Sequence, residues 1–163
     1  MQDVCLQFFP ARAMQLVFLV AISLVACAVA AAQPRANAAG AEQPGFTQFG
    51  GVSIGMPADQ VRKKLNGLRD KGDDVDIFMV KDNQSVEVYY DKAKTVSAIS
   101  IDFMSGAHDA PAAKDVVGSD ADPRADGSVY KLVRYPKAGY WISYSKTAGD
   151  SPTITITMQK IEH

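Results

Sequence analysis

Apolar and polar residues alternate over Thr95 to Phe103, where Ile99, Ile101 and Phe103 are interleaved with Ser100 and Asp102. Thr153 to Gln159 follows the same rule, with Ile154, Ile156 and Met158 set against Thr153, Thr155 and Thr157. A period of two sends the two sets to opposite sides of a strand. Each segment is therefore expected to bury one face and wet the other, as in an antiparallel sheet. Ile77 to Val80, Ser85 to Tyr90, Ser128 to Tyr135 and Tyr140 to Ser145 are further strand-forming runs. Short turns separate them: Lys81-Asp82-Asn83-Gln84, Asp91-Lys92-Ala93-Lys94, Pro136-Lys137-Ala138-Gly139 and Lys146 to Asp150. Connections this short join antiparallel neighbours, because parallel pairing needs a crossover of about a dozen residues or more.

Ahead of the strands stands Gly50 to Gly67, GGVSIGMPADQVRKKLNG. Pro57 suits the first turn of a helix, where its missing N–H costs nothing. Asp59 places negative charge against the positive end of the helix dipole, and Arg62, Lys63 and Lys64 fall near the other end. Val61 and Leu65, four apart, share one face. The basic trio reads as a solvated face, and Gly67 as the stop. A shorter version returns near Pro111-Ala112, with Val116 and Gly118. Helix, middle strand and last strand recur after roughly 55 residues, as fixed-period self-similarity would produce. The expectation is an α+β domain over residues 46–163. It would contain two tandem helix-plus-antiparallel-meander units, one over about 50–104 and one over about 110–161, with sheets able to join edge to edge. Residues 69–76 (RDKGDDVD) and 119–127 read as polar loops.

The amino-terminal part has a different character. Met14 to Ala32 is almost continuously apolar, preceded by Arg12 and ending in small residues, the order of a secretory signal. Residues 1–32 are thus expected to be a signal peptide. Leu24-Val25-Ala26-Cys27 matches the lipobox in which the cysteine becomes lipidated, making Cys27 the lipidation candidate. Ala30 and Ala32, or Ala36 and Ala38, equally satisfy ordinary signal cleavage. Either route takes the mature protein out of the cytoplasm, to the periplasm, the outer membrane or the medium. Membrane contact would then run only through a lipid on Cys27. Residues 33–45, rich in Ala, Gly, Pro and Gln, read as a flexible tether.

Chemistry is sparse. A net charge of -1 over 163 residues gives no basic excess of the kind nucleic-acid binding needs. Both cysteines, Cys5 and Cys27, precede the folded part. The histidines are His108, between the repeats, and His163. Asp70, Asp73, Asp74 and Asp76 lack the spacing of a calcium loop and read as loop solvation. The run Asp120, Asp122, Asp126, Gly127 puts Arg124 where a ligand is needed and has no closing glutamate. No catalytic residues, metal or cofactor are therefore expected. A binding surface is the remaining candidate. Trp141 lies on the opposite side of its strand from Tyr140, Ile142 and Tyr144, so it either faces out as an anchor or fills the space under a helix. Tyr130 and Tyr89 or Tyr90 are the aromatics that could join it.

Ile54-Gly55-Met56-Pro57-Ala58-Asp59-Gln60-Val61, with Leu65 and Gly67, resembles the helical signature of the SmpA/OmlA (BamE-like) outer-membrane lipoproteins. The tandem form is similar to the β-lactamase-inhibitor-protein (BLIP-like) fold. The resemblance covers about a dozen residues; the second copy has lost most of the motif, and the two polar loops have no counterpart in it. It implies helices packed on an antiparallel sheet and a binding or scaffolding role in the cell envelope, which with the sparse chemistry reads as a non-enzymatic module whose partner is another envelope or secreted protein. The alternative it implies is a secreted enzyme inhibitor of the β-lactamase-inhibitor type.

Overall fold

The computed structural model describes residues 44–162 except Ser105 and Ala107. Residues 1–32, expected to be a signal peptide and including Cys27, residues 33–43 of the expected tether, and His163 lie outside the described residues. Among the described residues no helix is long and apolar enough to cross a membrane.

The architecture is one seven-stranded antiparallel sheet with two short helices. In chain order these are α1 (Ala58–Lys64), β1 (Leu68–Lys71), β2 (Val75–Lys81), β3 (Gln84–Tyr90), β4 (Val96–Phe103), α2 (Ala113–Val117), β5 (Val129–Tyr135), β6 (Tyr140–Lys146) and β7 (Ile154–Lys160). Across the sheet the order is β1-β2-β3-β4-β7-β6-β5. The alternating runs form strands whose apolar members share one side. Ile99 sits opposite Met158, Ile101 opposite Ile156 and Phe103 opposite Ile154. All six are buried, together with Phe78, Val86, Val88, Ile142 and Tyr144. Ser97 interrupts the period: Tyr89 pairs with Ala98 but Tyr90 with Val96, leaving Ser97 as the extra residue of a bulge. The bulge returns Val96 to the core side while Ala98 faces the other way.

Helices this short have little stability of their own. α1 is held by Val61, fully buried, and Leu65, with burial of the Val61 side chain stabilising by roughly 1.5–3 kcal/mol. α2 places Val116 and Val117 in the same core, against β5 and β6. It ends at Gly118, whose φ of 74 is the left-handed helix stop.

This arrangement overturns the expectation of two tandem helix-plus-meander units. Among the described residues the helices span only 7 and 5 residues, and all seven strands belong to one continuous sheet. Pairing of β4 with β7 over six residue pairs merges the halves around one core. The halves also differ in strand number, because the segment expected to be a loop at 69–76 contains β1 and the start of β2. Gly72 turns the chain there, its N–H bonding to the Val75 carbonyl at 3.0 Å. Helix α1 ends before Gly67, which serves another purpose. Its carbonyl accepts from the Met79 N–H at 2.8 Å, and a β-carbon there would lie 2.0 Å from the Met79 oxygen. Only glycine permits that approach of backbone to backbone.

Candidate functional site

Both helices bury their apolar residues in the core on one side of the sheet, so the other side carries the alternate residues of six strands. The register places them in rows. One row runs Val75, Tyr89, Ala98, Gln159, Trp141, Arg134 from β2 to β5. The next begins at Ile77 and ends at Leu132, with Glu87, Ser100, Thr157 and Ser143 between them. The third begins at Met79 and ends at Tyr130, and its interior is Ser85, Asp102, Thr155 and Ser145.

The columns have a clear logic. β2 presents three half-buried apolar side chains, Val75, Ile77 and Met79, and β5 presents Leu132 and Tyr130 with Arg134. Between these rims half of the residues are serine or threonine. A depression of about 400 Å³ opens there, lined by Tyr89, Ser97, Ala98, Ser100, Thr157 and Gln159. The hydroxyls are tied to one another: Ser100 and Thr157 approach within 3.4 Å, and Thr155 donates to Asp102 at 2.6 Å.

Of the aromatic candidates, Trp141 lies on this open face and is half-buried, so it does not fill the space under a helix. Tyr89 and Tyr130 are exposed at 39% and 48%. Tyr89 and Trp141 share a row three strands apart, roughly 14 Å at the usual strand spacing. Tyr130 stands at the far end of β5, with Arg124 stacked 5.4 Å above its ring. The three therefore border the trough and do not form one stacked patch. The Tyr89 hydroxyl donates to Glu87, and that bond to a carboxylate, with partial burial, pushes its pKa up to about 12.

Tyr90 belongs elsewhere. It is buried on the core side, and its hydroxyl donates to Asp76 at 2.7 Å. Asp76 is not loop solvation but a fully buried carboxylate on β2. Arg62 bonds it twice, at 2.8 and 3.1 Å, and the Gly72 N–H bonds it at 3.2 Å. Arg62 thus leaves the solvated face expected for it and turns inward across α1, 5.8 Å from the Tyr90 ring centre. Burial alone would raise the Asp76 pKa; the bonds from Arg62 and Tyr90 hold it below the ordinary carboxylate range. Burial first, then the Asp76 contact, raises that of Tyr90. The residue types were visible in the sequence, but the spacing of 14 residues between Arg62 and Asp76 matches no local pattern. The buried polar atoms of this cluster all have partners, and the cluster clasps helix to sheet.

A second cavity, about 570 Å³, opens beside this clasp, bordered by Arg62, Lys71 and Lys94 with Asp59 and Asp73. Arg62 is committed to Asp76, and Lys94 bonds the Asp73 carbonyl at 2.7 Å. His108 is exposed between β4 and α2. Asp126 closes a turn by accepting from the Ser128 hydroxyl and N–H, which holds its pKa low. Among the described residues no group of three His, Cys, Asp or Glu is placed to hold a metal ion.

No family model, no curated protein and no solved structure matches the chain.

Proposed function

We propose that the chain is an exported, non-enzymatic envelope protein that uses the open face of its sheet to dock another protein. The observation that carries this reading is the position of Trp141. A large aromatic side chain, the sole tryptophan of the chain, stands half-exposed on a helix-free face, beside a depression and in a row with exposed Tyr89. Burying such aromatics against a partner contributes strongly to association, which is why tryptophan and tyrosine are common anchors. Export is supported by the apolar segment Met14 to Ala32 and its small-residue end. Cys27 would add a lipid anchor if processing occurs there.

The test is a comparison of wild type with Trp141→Ala, both shown to be folded by circular dichroism, as baits in envelope extracts. A discrete partner retained by the first and lost by the second is the expected result. Equal recovery by both would remove the sheet face from the reading.

A further inference from the structure

The trough has a shape and a charge, and together they narrow what can fill it. A second copy is a poor occupant. Two such faces brought together would set the like charges of Glu87 and Asp102 over one another, with no cation among the outward-facing described residues of the inner four strands to offset them. The fitting shape is convex, such as a loop protruding from a different protein.

The charge lies on the inner four strands. Among their described outward-facing residues only Glu87 and Asp102 are charged, and both are acidic. Glu87 sits opposite Ser100, two positions before Asp102, so the two carboxylates are diagonal neighbours. Such neighbours stand roughly 7–8 Å apart, somewhat less between their β-carbons. Each accepts one internal bond from a neutral hydroxyl, Tyr89 to Glu87 and Thr155 to Asp102, and no salt bridge to either is among those of the described residues. Arg134, on β5, is four strands from Glu87, roughly 19 Å away and too far to compensate it, and Arg69, in the β1 bulge opposite Ile77, stands beside Asp70. A partner that covers the trough strips water from two carboxylates. An isolated buried charge is strongly disfavoured unless a counter-charge with hydrogen-bond donors replaces the water.

We infer that the docking partner is a protein whose protruding loop brings a lysine or arginine side chain between Glu87 and Asp102, beside an apolar residue that meets Trp141. This rests on the docking role of the sheet face proposed above and adds the chemistry of the occupant. Arginine fits best, because its planar fork can serve two carboxylates at once.

The experiment pans a library of disulfide-closed random heptapeptides, as loop mimics, against the full mature chain. Binders lost on Trp141→Ala are expected to share a basic position. Replacing that residue with citrulline or norleucine should weaken binding roughly tenfold or more, and so should the double variant Glu87→Gln/Asp102→Asn. Trp141-dependent binders without a basic residue, or indifferent to the double variant, would overturn the cationic occupant while leaving the docking face intact. A library that yields no Trp141-dependent binder would count against the docking face, and this inference would fall with it.

Discussion

Arg62 on α1 and Asp76 on β2 form a two-pronged ion pair across the helix–sheet boundary, at 2.8 and 3.1 Å. Asp76 has no solvent exposure, and its oxygens also accept from Tyr90 and Gly72. The pair joins a helix of 7 residues to the sheet and gathers the Gly72 turn at the same point. Its removal should show how much of the fold depends on it.

Asp76→Ala leaves the Arg62 guanidinium, the Tyr90 hydroxyl and the Gly72 N–H without their shared acceptor. Breaking one side of a buried pair typically costs about 3–5 kcal/mol. The urea midpoint should fall accordingly. A loss under 1 kcal/mol would mean that water replaces the carboxylate easily and that the clasp is not central to the fold.

Stability should depend on acid through the same group. The folded-state pKa of Asp76 is depressed, because Arg62 and Tyr90 outweigh the effect of burial. A depressed carboxylate stabilises the fold above its unfolded pKa of about 3.9, and that contribution is lost as pH falls through the lower folded value. The difference in unfolding free energy between wild type and Asp76→Asn should be constant from pH 7 to about 5 and shrink below about 4. A difference that stays flat down to pH 2 would contradict the assignment.

Lys94 has a φ of 57 in the turn between β3 and β4, the only positive φ outside glycine among the described residues. A side chain in that region costs about 1–2 kcal/mol, partly offset by the entropy glycine loses on folding. Lys94→Gly should therefore raise stability by about 0.5–1 kcal/mol, measured by thermal or urea unfolding. A destabilisation instead would show that the Lys94 bonds to the Asp73 segment outweigh the strain.

Gly67 and Gly139 make a matched pair, with φ of 78 and 79. A β-carbon at Gly139 meets nothing within 4 Å, whereas at Gly67 it lies 2.0 Å from the Met79 oxygen. Gly139→Ala should cost only the left-handed backbone, about 1 kcal/mol, and Gly67→Ala should cost at least twice that. Equal losses would mean that the β2 backbone at Met79 yields freely.

The parts of this structure that obey a local period were legible. Ile99, Ile101 and Phe103 announced their strand, and alternation set Trp141 opposite Tyr140, Ile142 and Tyr144 without saying which of the two sides lies under a helix. Val61 and Leu65 likewise marked the buried side of α1. Features set by distant partners were not legible. Asp70 to Asp76 looked like solvated loop because charge density is the only local signal there. What makes it β1 and a buried carboxylate is pairing with β2 and β3 and an arginine from α1. The tandem arrangement failed for a related reason. Similar spacing of helix and strands in the two halves says nothing about β4 and β7 pairing into one sheet. Of the candidate surface, the members were nameable, but Tyr89 and Tyr90 could not be told apart before the β3–β4 register placed one outward and the other against Asp76.

The central claim is that this protein works through the helix-free face of its sheet. The most direct measurement places a photo-crosslinking amino acid, in living cells, at Arg134 or Tyr130 on that face, which leaves Trp141 in place. The control positions are the exposed Lys63 and Lys114 on the helices. A discrete crosslinked protein is expected from Arg134 and Tyr130, and none from Lys63 and Lys114. The same product from the helical positions, with nothing from the sheet face, would contradict it.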